Sequence, residues 1–118
     1  MRPFIAAVLV TGAALSATPA SAQSAGTYAI EGWCGSQPHY RGTLTLAGRG
    51  PVYDVTWLVG RDVFRGRAIE QDGAIAISFT QNGVQGVMNA RRSGYQWLGV
   101  WTLGNDGGAC VENWVLRR

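Results

Sequence analysis

The chain of 118 residues contains no lysine, one histidine and two cysteines. Without lysine there is no residue for a P-loop phosphate contact, a Schiff base or a lysine general base. His39 alone does not supply the clustered ligands of a zinc site, and no serine has the sequence context of an activated nucleophile. Charged residues make up 14% of the chain, and the formal net charge is +3. This small surplus of arginine does not predict nucleic-acid binding.

Motifs that carry enzyme chemistry are also missing. The sequence has no dinucleotide-binding fingerprint, no EF-hand loop and no Asn-x-Ser/Thr sequon. Its seven acidic residues are scattered, and several stand in predicted turns, whereas glycoside hydrolysis requires two carboxylates that face each other. We therefore expect no catalytic residues, no cofactor, no metal and no enzymatic activity.

Glycine and aromatic residues are abundant instead. The chain has 17 glycines, five tryptophans, four tyrosines and three phenylalanines. The glycine content is about twice the average usage of roughly 7%. Hydrophobic residues make up 47% of the sequence, which is enough to bury the core of one domain and too much for a disordered segment.

The N-terminus has the three parts of a secretory signal peptide. Arg2 supplies a positive charge, an apolar run extends to Leu15, and residues 20–22 form an Ala-Ser-Ala cleavage site. We predict that residues 1–22 are cleaved and that residues 23–118 form a single exported domain, periplasmic or secreted. The alternative is a membrane-anchoring helix, but the apolar run is too short to span a bilayer. No later segment predicts a transmembrane helix.

Two cysteines remain in the predicted exported domain, Cys34 and Cys110. An even number of cysteines in an oxidising compartment predicts a disulfide. A crosslink that closes so long a loop stabilises the fold by about 4 kcal/mol in the chain-entropy description. A catalytic thiol is not supported, because no motif connects His39 to either cysteine.

Eight short strands alternate with turn residues through the predicted domain. Period-two alternation and turn dipeptides such as Asp72-Gly73 and Asn82-Gly83 mark a series of hairpins. The predicted strands are 27–33, 39–46, 52–59, 62–70, 74–80, 84–90, 95–102 and 110–116. Because no connection has room for a crossover helix, the sequence predicts an all-β, antiparallel up-and-down meander.

The positions of the cysteines favour closure of this meander into a small barrel. The first and last of eight alternating strands are antiparallel, so closure brings the end of strand one beside the start of strand eight. Cys34 follows strand one and Cys110 begins strand eight. Closure also removes two exposed sheet edges. The same disulfide is compatible with a two-sheet sandwich, which remains an alternative.

Alternation assigns one face of the strands to the interior. This face consists of aromatic, aliphatic and glycine residues with one carboxylate: Tyr28, Ile30, Gly32, Tyr40, Gly42, Leu44, Leu46, Tyr53, Val55, Trp57, Val59, Phe64, Gly66, Ala68, Ile75, Ile77, Phe79, Tyr95, Trp97, Gly99, Trp101, Glu112, Trp114 and Leu116. The opposite face of strands two to four carries Arg41, Arg65 and Arg67 among polar residues, as a solvated surface requires.

Three features allow two interpretations each. Glycines inside strands either permit sharp curvature and close packing of the walls or leave room for a ligand; they are Gly32, Gly42, Gly66, Gly86 and Gly99. Glu112, inside an apolar interior, either anchors a ligand or is a structural residue bonded to a Tyr, Trp or Arg side chain. The outward apolar residues of strands seven and eight are either ordinary surface or a contact for a partner or a second copy; they are Leu98, Val100, Val111 and Val115.

The strand count and the aromatic interior resemble the calycin-like barrels, the lipocalins and avidins. The resemblance covers the whole predicted domain but no diagnostic motif, because Gly32-Trp33 stands in strand one where lipocalins usually have Gly-x-Trp. It implies an exported barrel that binds a small, partly apolar ligand inside. The interior residues that we predict to contact this ligand are Tyr53, Trp57, Tyr95, Trp97, Trp101 and Glu112.

A second hypothesis is a protein-interaction module with a solid-packed barrel. Such a module resembles the small exported barrels that inhibit bacterial proteases. An envelope-associated factor is a second form of the same hypothesis. Such a module would act through its rim or outer face, where Arg41, Arg65, Arg67, Leu98 and Val100 are predicted to lie.

Overall fold

The computed structural model describes residues 24–35, 38–105 and 108–117, and within them eight antiparallel strands close into a barrel. The strands are β1 (Gly26–Trp33), β2 (Tyr40–Ala47), β3 (Val52–Val59), β4 (Asp62–Gln71), β5 (Ala74–Gln81), β6 (Val84–Ser93), β7 (Gln96–Leu103) and β8 (Cys110–Leu116). No helix in these residues is long and apolar enough to cross a membrane. The predicted signal peptide, residues 1–22, lies outside the described residues.

The pairing of β8 closes the ring. Trp114 of β8 lies opposite Ile30 of β1 on one side and opposite Trp97 of β7 on the other. The remaining strands pair in chain order from β1 to β7, which confirms the predicted meander and selects the barrel over the sandwich. The predicted disulfide is also confirmed: Cys34 and Cys110 are bonded at the β1–β8 seam, with their Cα atoms 4.2 Å apart.

The tight hairpin turns follow from local chemistry. Asp72 and Gly73 have φ values of 55° and 77°, and Asn82 and Gly83 have values of 52° and 81°. Positive φ at both central residues defines the type I′ turn, whose twist matches that of the flanking strands. Asp-Gly and Asn-Gly adopt this conformation at low cost, so these dipeptides set the register of two of the hairpins.

The interior face agrees with the alternation of the sequence over most of its length. The core consists of aromatic and aliphatic side chains that the barrel shields almost completely: Tyr28, Ile30, Leu44, Leu46, Tyr53, Val55, Trp57, Ala68, Ile75, Ile77, Phe79, Met88, Ala90, Trp97 and Trp114. Met88 and Ala90 of β6 are additions to the predicted set. The arginines of β2 and β4 lie outside, where Arg41 and Arg67 pair with Glu31 and Asp54.

Two residues of the predicted interior set are wrongly placed. Tyr95 is 79% exposed, because it belongs to the turn between β6 and β7 and β7 begins only at Gln96. The alternation of β7 therefore begins one residue later than the sequence pattern predicts, at Gln96. Leu116 is the last residue of β8 and is partly exposed at the end of the barrel, beside Gly26.

Gly42 shows why a small barrel needs glycine within its strands. A Cβ atom at this position would collide with the backbone carbonyl of Leu58 on the neighbouring strand β3. No side chain can move aside to relieve a collision with backbone, so only glycine permits this close approach. At this position the structure supports the structural interpretation of the in-strand glycines.

Candidate functional site

One end of the barrel contains a cavity of about 370 Å³. We call this end the mouth; β1 and β7 end there, β2 and β8 begin there, and it carries the turns at residues 60–61 and 82–83. The opposite end, the base, carries the connections at 48–51, 72–73 and 94–95. Aromatic side chains from β2, β3, β4, β5 and β7 line much of the cavity, together with one buried carboxylate: Tyr40, Trp57, Phe64, Phe79, Trp101 and Glu112.

Glu112 is the centre of a hydrogen-bond network in the cavity wall. The side chain is only 3% exposed. Tyr40 donates its hydroxyl hydrogen to Oε1 over 2.5 Å, and the Nε1–H groups of Trp57 and Trp114 donate to Oε2 over 3.0 and 2.9 Å. Glu112 and Trp114 point inward together because they are two residues apart on β8. Three donors thus converge on one buried carboxyl group.

A fourth aromatic donor extends this network toward the mouth. The Nε1–H of Trp101 donates to the hydroxyl oxygen of Tyr40 over 3.0 Å. Tyr40 therefore accepts from β7 and donates to Glu112 on β8. Burial, followed by the nearby Glu112, raises the pKa of the Tyr40 phenol well above its usual range, so this hydroxyl remains a donor.

Two opposing effects act on the ionisation of Glu112. Burial raises the pKa of the carboxyl above its ordinary value, while the hydrogen bonds from Tyr40, Trp57 and Trp114 lower it and offset part of this shift. An indole N–H can only donate, so Oε2 must accept both of its bonds. These bonds strengthen when the carboxyl is ionised. The site is therefore built around an acceptor oxygen.

Phe79 contacts both Trp57 and Trp101, so the three rings form a continuous aromatic surface. Its ring centroid lies 5.2 Å from that of Trp57 and 5.9 Å from that of Trp101, with tilted and edge-on geometries. Gly86 makes room for this ring, since a Cβ atom there would collide with Phe79. At this position the in-strand glycine serves the cavity wall.

Acidic groups supply the charge in the cavity lining. Asp62, at the start of β4, lies at its rim, and Glu112 lies within its wall. Within the described part of the chain, no arginine contributes to the lining. The cavity is therefore acidic although the protein as a whole has a formal charge of +3.

The base is closed by side chains and by the segment that precedes β1. Ser24 Oγ donates to Glu70 Oε2 over 2.9 Å, and the Tyr53 hydroxyl donates to Oε1 of the same carboxylate over 3.1 Å. The Tyr28 hydroxyl donates to the Ser24 carbonyl over 2.7 Å. Trp97 is buried nearby, and the Arg92 guanidinium lies 4.7 Å from its ring centroid.

The structure separates the six predicted ligand contacts into two groups. Trp57, Trp101 and Glu112 line the cavity together. Tyr53 and Trp97 are buried in the core away from this lining, and the exposed Tyr95 lies in a turn at the base.

Ten of the described lining residues were absent from the predicted contacts, among them Tyr40, Phe64, Phe79 and Met88. Strand alternation had already placed Tyr40, Phe64 and Phe79 inside the barrel. Alternation shows which face of a strand a residue occupies, but it does not show how far along the barrel axis the residue lies.

Comparisons with known proteins establish the fold. No family model matches the chain, and no curated protein sequence matches it. Among solved structures, it is similar to apo lipid binding protein 8 of Caenorhabditis elegans, with a TM-score of 0.53 and 9% sequence identity. The likeness covers 80% of this chain and 96% of that chain. The likeness shows the fold, a closed antiparallel β-barrel. At this level of identity the likeness concerns architecture, in agreement with the resemblance seen in the sequence.

Proposed function

We propose that the protein binds a small, partly apolar molecule in the mouth cavity. The observation that carries this proposal is a buried, triply hydrogen-bonded carboxylate in the wall of an aromatic-lined cavity. A volume of about 370 Å³ lies within the usual range for small-molecule sites, which runs from about 300 to 1,000 Å³. Such sites combine apolar walls with a few fixed polar groups. The lipid-binding function named for the structural neighbour supports a ligand inside the barrel.

The position of the polar network favours this proposal over a purely structural role for Glu112. A structural residue needs partners, and Glu112 has three. It also borders open space together with Asp62 and the rings of Trp57 and Trp101. Burying a carboxyl group is costly, and an apolar side chain would serve a packed core better. The presence of a carboxyl group at the cavity supports a role in ligand binding.

The proposed site of action is the periplasm or the exterior of the cell. The Cys34–Cys110 disulfide is consistent with an oxidising compartment. The signal-peptide pattern of residues 1–22 supports export. Mass spectrometry of the N-terminus of exported protein tests this part; a chain that begins at Gln23 is expected, and a chain retaining residues 1–22 in the cytoplasm would contradict it.

Titration with the neutral apolar fluorophore N-phenyl-1-naphthylamine tests ligand binding. We expect saturable fluorescence enhancement, weakened at least about tenfold by Val59→Phe, because Val59 lines the cavity and the larger ring would fill it. Leu58→Phe is the matched control, since Leu58 is the preceding residue and faces outward. Equal binding by both variants, or no binding by the wild type, would contradict the proposal.

A protein-interaction role is the second candidate, favoured by one observation. Val100 and Val111 lie opposite each other on the outer face of β7 and β8, and Trp33 of β1 lies next to Val111. These three side chains are 53%, 47% and 43% exposed and form a continuous apolar strip. Analytical ultracentrifugation of the wild type and Val100→Ser tests self-association through this strip. Monomers in both samples would count against a second copy as the partner.

A further inference from the structure

We propose that the ligand of the mouth cavity is an organic cation, an ammonium group carrying an apolar portion, held against the aromatic walls with Glu112 as its counter-charge. This inference rests on the proposed function and adds the chemical class of the ligand. Two acidic residues belong to the cavity lining. Asp62, together with Glu112 when its carboxyl is ionised, supplies negative charge to the cavity, and the described arginines all lie outside its lining.

The hydrogen-bond network around Glu112 has no donor left for a ligand. Its four donors, the hydroxyl of Tyr40 and the indole N–H groups of Trp57, Trp101 and Trp114, are all engaged within the protein. Gln81 in the lining carries amide donors outside this network, but the network itself offers no free donor to an anionic head group, which would also meet a like charge at an ionised Glu112. The capacity that remains in the network is acceptor capacity, since each carboxylate oxygen has two lone pairs and Glu112 Oε1 accepts one bond. Such a network suits a ligand that donates hydrogen bonds or carries positive charge.

Glu112 has no counter-ion among the described residues. All three of its hydrogen-bond partners are neutral side chains, and the described residues place no ion pair on it. A buried carboxylate without a cation is destabilised by its loss of hydration. A cationic ligand would supply the opposite charge from the cavity side. Binding of such a ligand would therefore relieve a cost that the folded protein carries alone.

The aromatic side chains of the lining also favour a cationic ligand. Ammonium groups are attracted to the negative faces of aromatic rings, most strongly to tryptophan. Hydrogen bonds fix the edges of Trp57 and Trp101, because each indole N–H is committed to the network. Phe79 packs between these two indoles. These rings thus line the cavity beside a carboxyl group, a combination that suits an organic cation.

Isothermal titration calorimetry with three probes of equal chain length tests the inference. The probes are hexyltrimethylammonium, hexan-1-ol and hexanoate, compared at the same ionic strength. We expect the ammonium to bind at least about tenfold more tightly than hexanoate, and Glu112→Gln to weaken ammonium binding about tenfold. Hexan-1-ol should bind Glu112→Gln and the wild type equally within about twofold, because it carries no charge.

Two further variants separate the effect of cavity charge on binding from any effect of Glu112→Gln on folding. Asp62→Asn removes a charge from the exposed rim without altering the buried network, so it should fold normally and weaken ammonium binding about two- to threefold. Asp54→Asn makes the same change on the outer face and should leave ammonium binding unchanged. If Glu112→Gln does not fold, the comparison of Asp62→Asn with Asp54→Asn still decides the question.

The outcomes distinguish this inference from the proposed function. Binding of hexanoate as tight as that of the ammonium, or equal ammonium binding by the wild type, Glu112→Gln and Asp62→Asn, would overturn the cation proposal and leave a ligand-binding barrel. Failure of all three probes and of the neutral fluorophore would overturn both.

Discussion

The mouth and the base of the barrel use the same pair of residue types in different ways. At the mouth, Tyr40 donates to Glu112, and at the base, Tyr53 donates to Glu70. The base pair is completed by Ser24, a buried residue of the segment that precedes β1. The mouth pair is completed by indole groups from the barrel wall.

The difference lies in what fills the space between the strands. A chain segment covers the base and ties its polar groups to the backbone, as the bond from Tyr28 to the Ser24 carbonyl shows. At the mouth, the side chains of the wall satisfy one another and leave about 370 Å³ open. A buried Tyr–Glu pair therefore occurs both beside open space and at the closed end, so the pair alone does not distinguish the two ends of the barrel.

Truncation of a tryptophan at each end should give the largest contrast. Trp97 and Trp101 lie four residues apart on the inner face of β7, but Trp97 is fully packed and Trp101 borders the cavity. We expect Trp97→Ala to lower the free energy of unfolding by about 3–5 kcal/mol and Trp101→Ala by about 1–2 kcal/mol. Urea unfolding followed by circular dichroism measures both. Equal losses would show that the mouth is packed like the base.

Removal of the disulfide should have an effect nearly as large. Cys34 and Cys110 are 76 residues apart in sequence and tie the two strands of the seam together at the mouth. The double variant Cys34→Ser/Cys110→Ser should lose about 4 kcal/mol of stability, because its unfolded chain is no longer constrained. Reduction of the wild type should reproduce this loss in chemical denaturation. An unchanged unfolding midpoint in both samples would contradict the prediction.

Removing the two tyrosine hydroxyls compares the polar networks directly. Tyr40→Phe deprives buried Glu112 of a donor and Trp101 of an acceptor, so we expect a loss of about 1.5–3 kcal/mol. Tyr53→Phe removes the bond to the less buried Glu70 and the interaction of the same hydroxyl with Ser24, and should cost about 1 kcal/mol. Thermal unfolding of the two variants under identical conditions ranks them. The reverse order would contradict the description of the mouth network.

A smaller effect should appear as a pH dependence of stability. Burial raises the folded-state pKa of Glu112 above its ordinary value of 4.5, so the folded protein retains a proton that the unfolded chain has lost. Stability should therefore fall as pH rises through the window that begins near 4.5 and ends at the folded-state pKa. Glu112→Gln should remove this contribution. Wild-type and variant stabilities that run parallel across a pH series would contradict the prediction.

Local signals explain how much of the fold the sequence could predict. Turn dipeptides such as Asp72-Gly73 and Asn82-Gly83 adopt the positive φ angles that a tight hairpin needs, so the strand boundaries agree within a few residues. The positions of Cys34 and Cys110 indicated closure, since a bond between them brings the first and last strands together. These features depend on neighbouring residues or on one long-range constraint.

The site was harder to predict because it depends on where strands stand relative to one another. Alternation places Trp57 and Trp97 on the same inner face but does not show that Trp57 lies at the cavity and Trp97 outside its lining. That distinction comes from the tilt and stagger of paired strands in a closed barrel. Tyr95 fails for a local reason, since the turn begins before the alternation visibly ends.

The most direct test of the account is a nuclear magnetic resonance titration that follows the indole Nε1–H signals. The probe is N-phenyl-1-naphthylamine. Among the described residues, Trp57 and Trp101 report on the mouth, Trp97 reports on the packed core, and Trp33 reports on the outer face. We predict saturable shifts of the Trp57 and Trp101 signals while those of Trp97 and Trp33 stay in place. No shift at Trp57 and Trp101, or shifts confined to Trp33, would contradict a ligand site in the mouth.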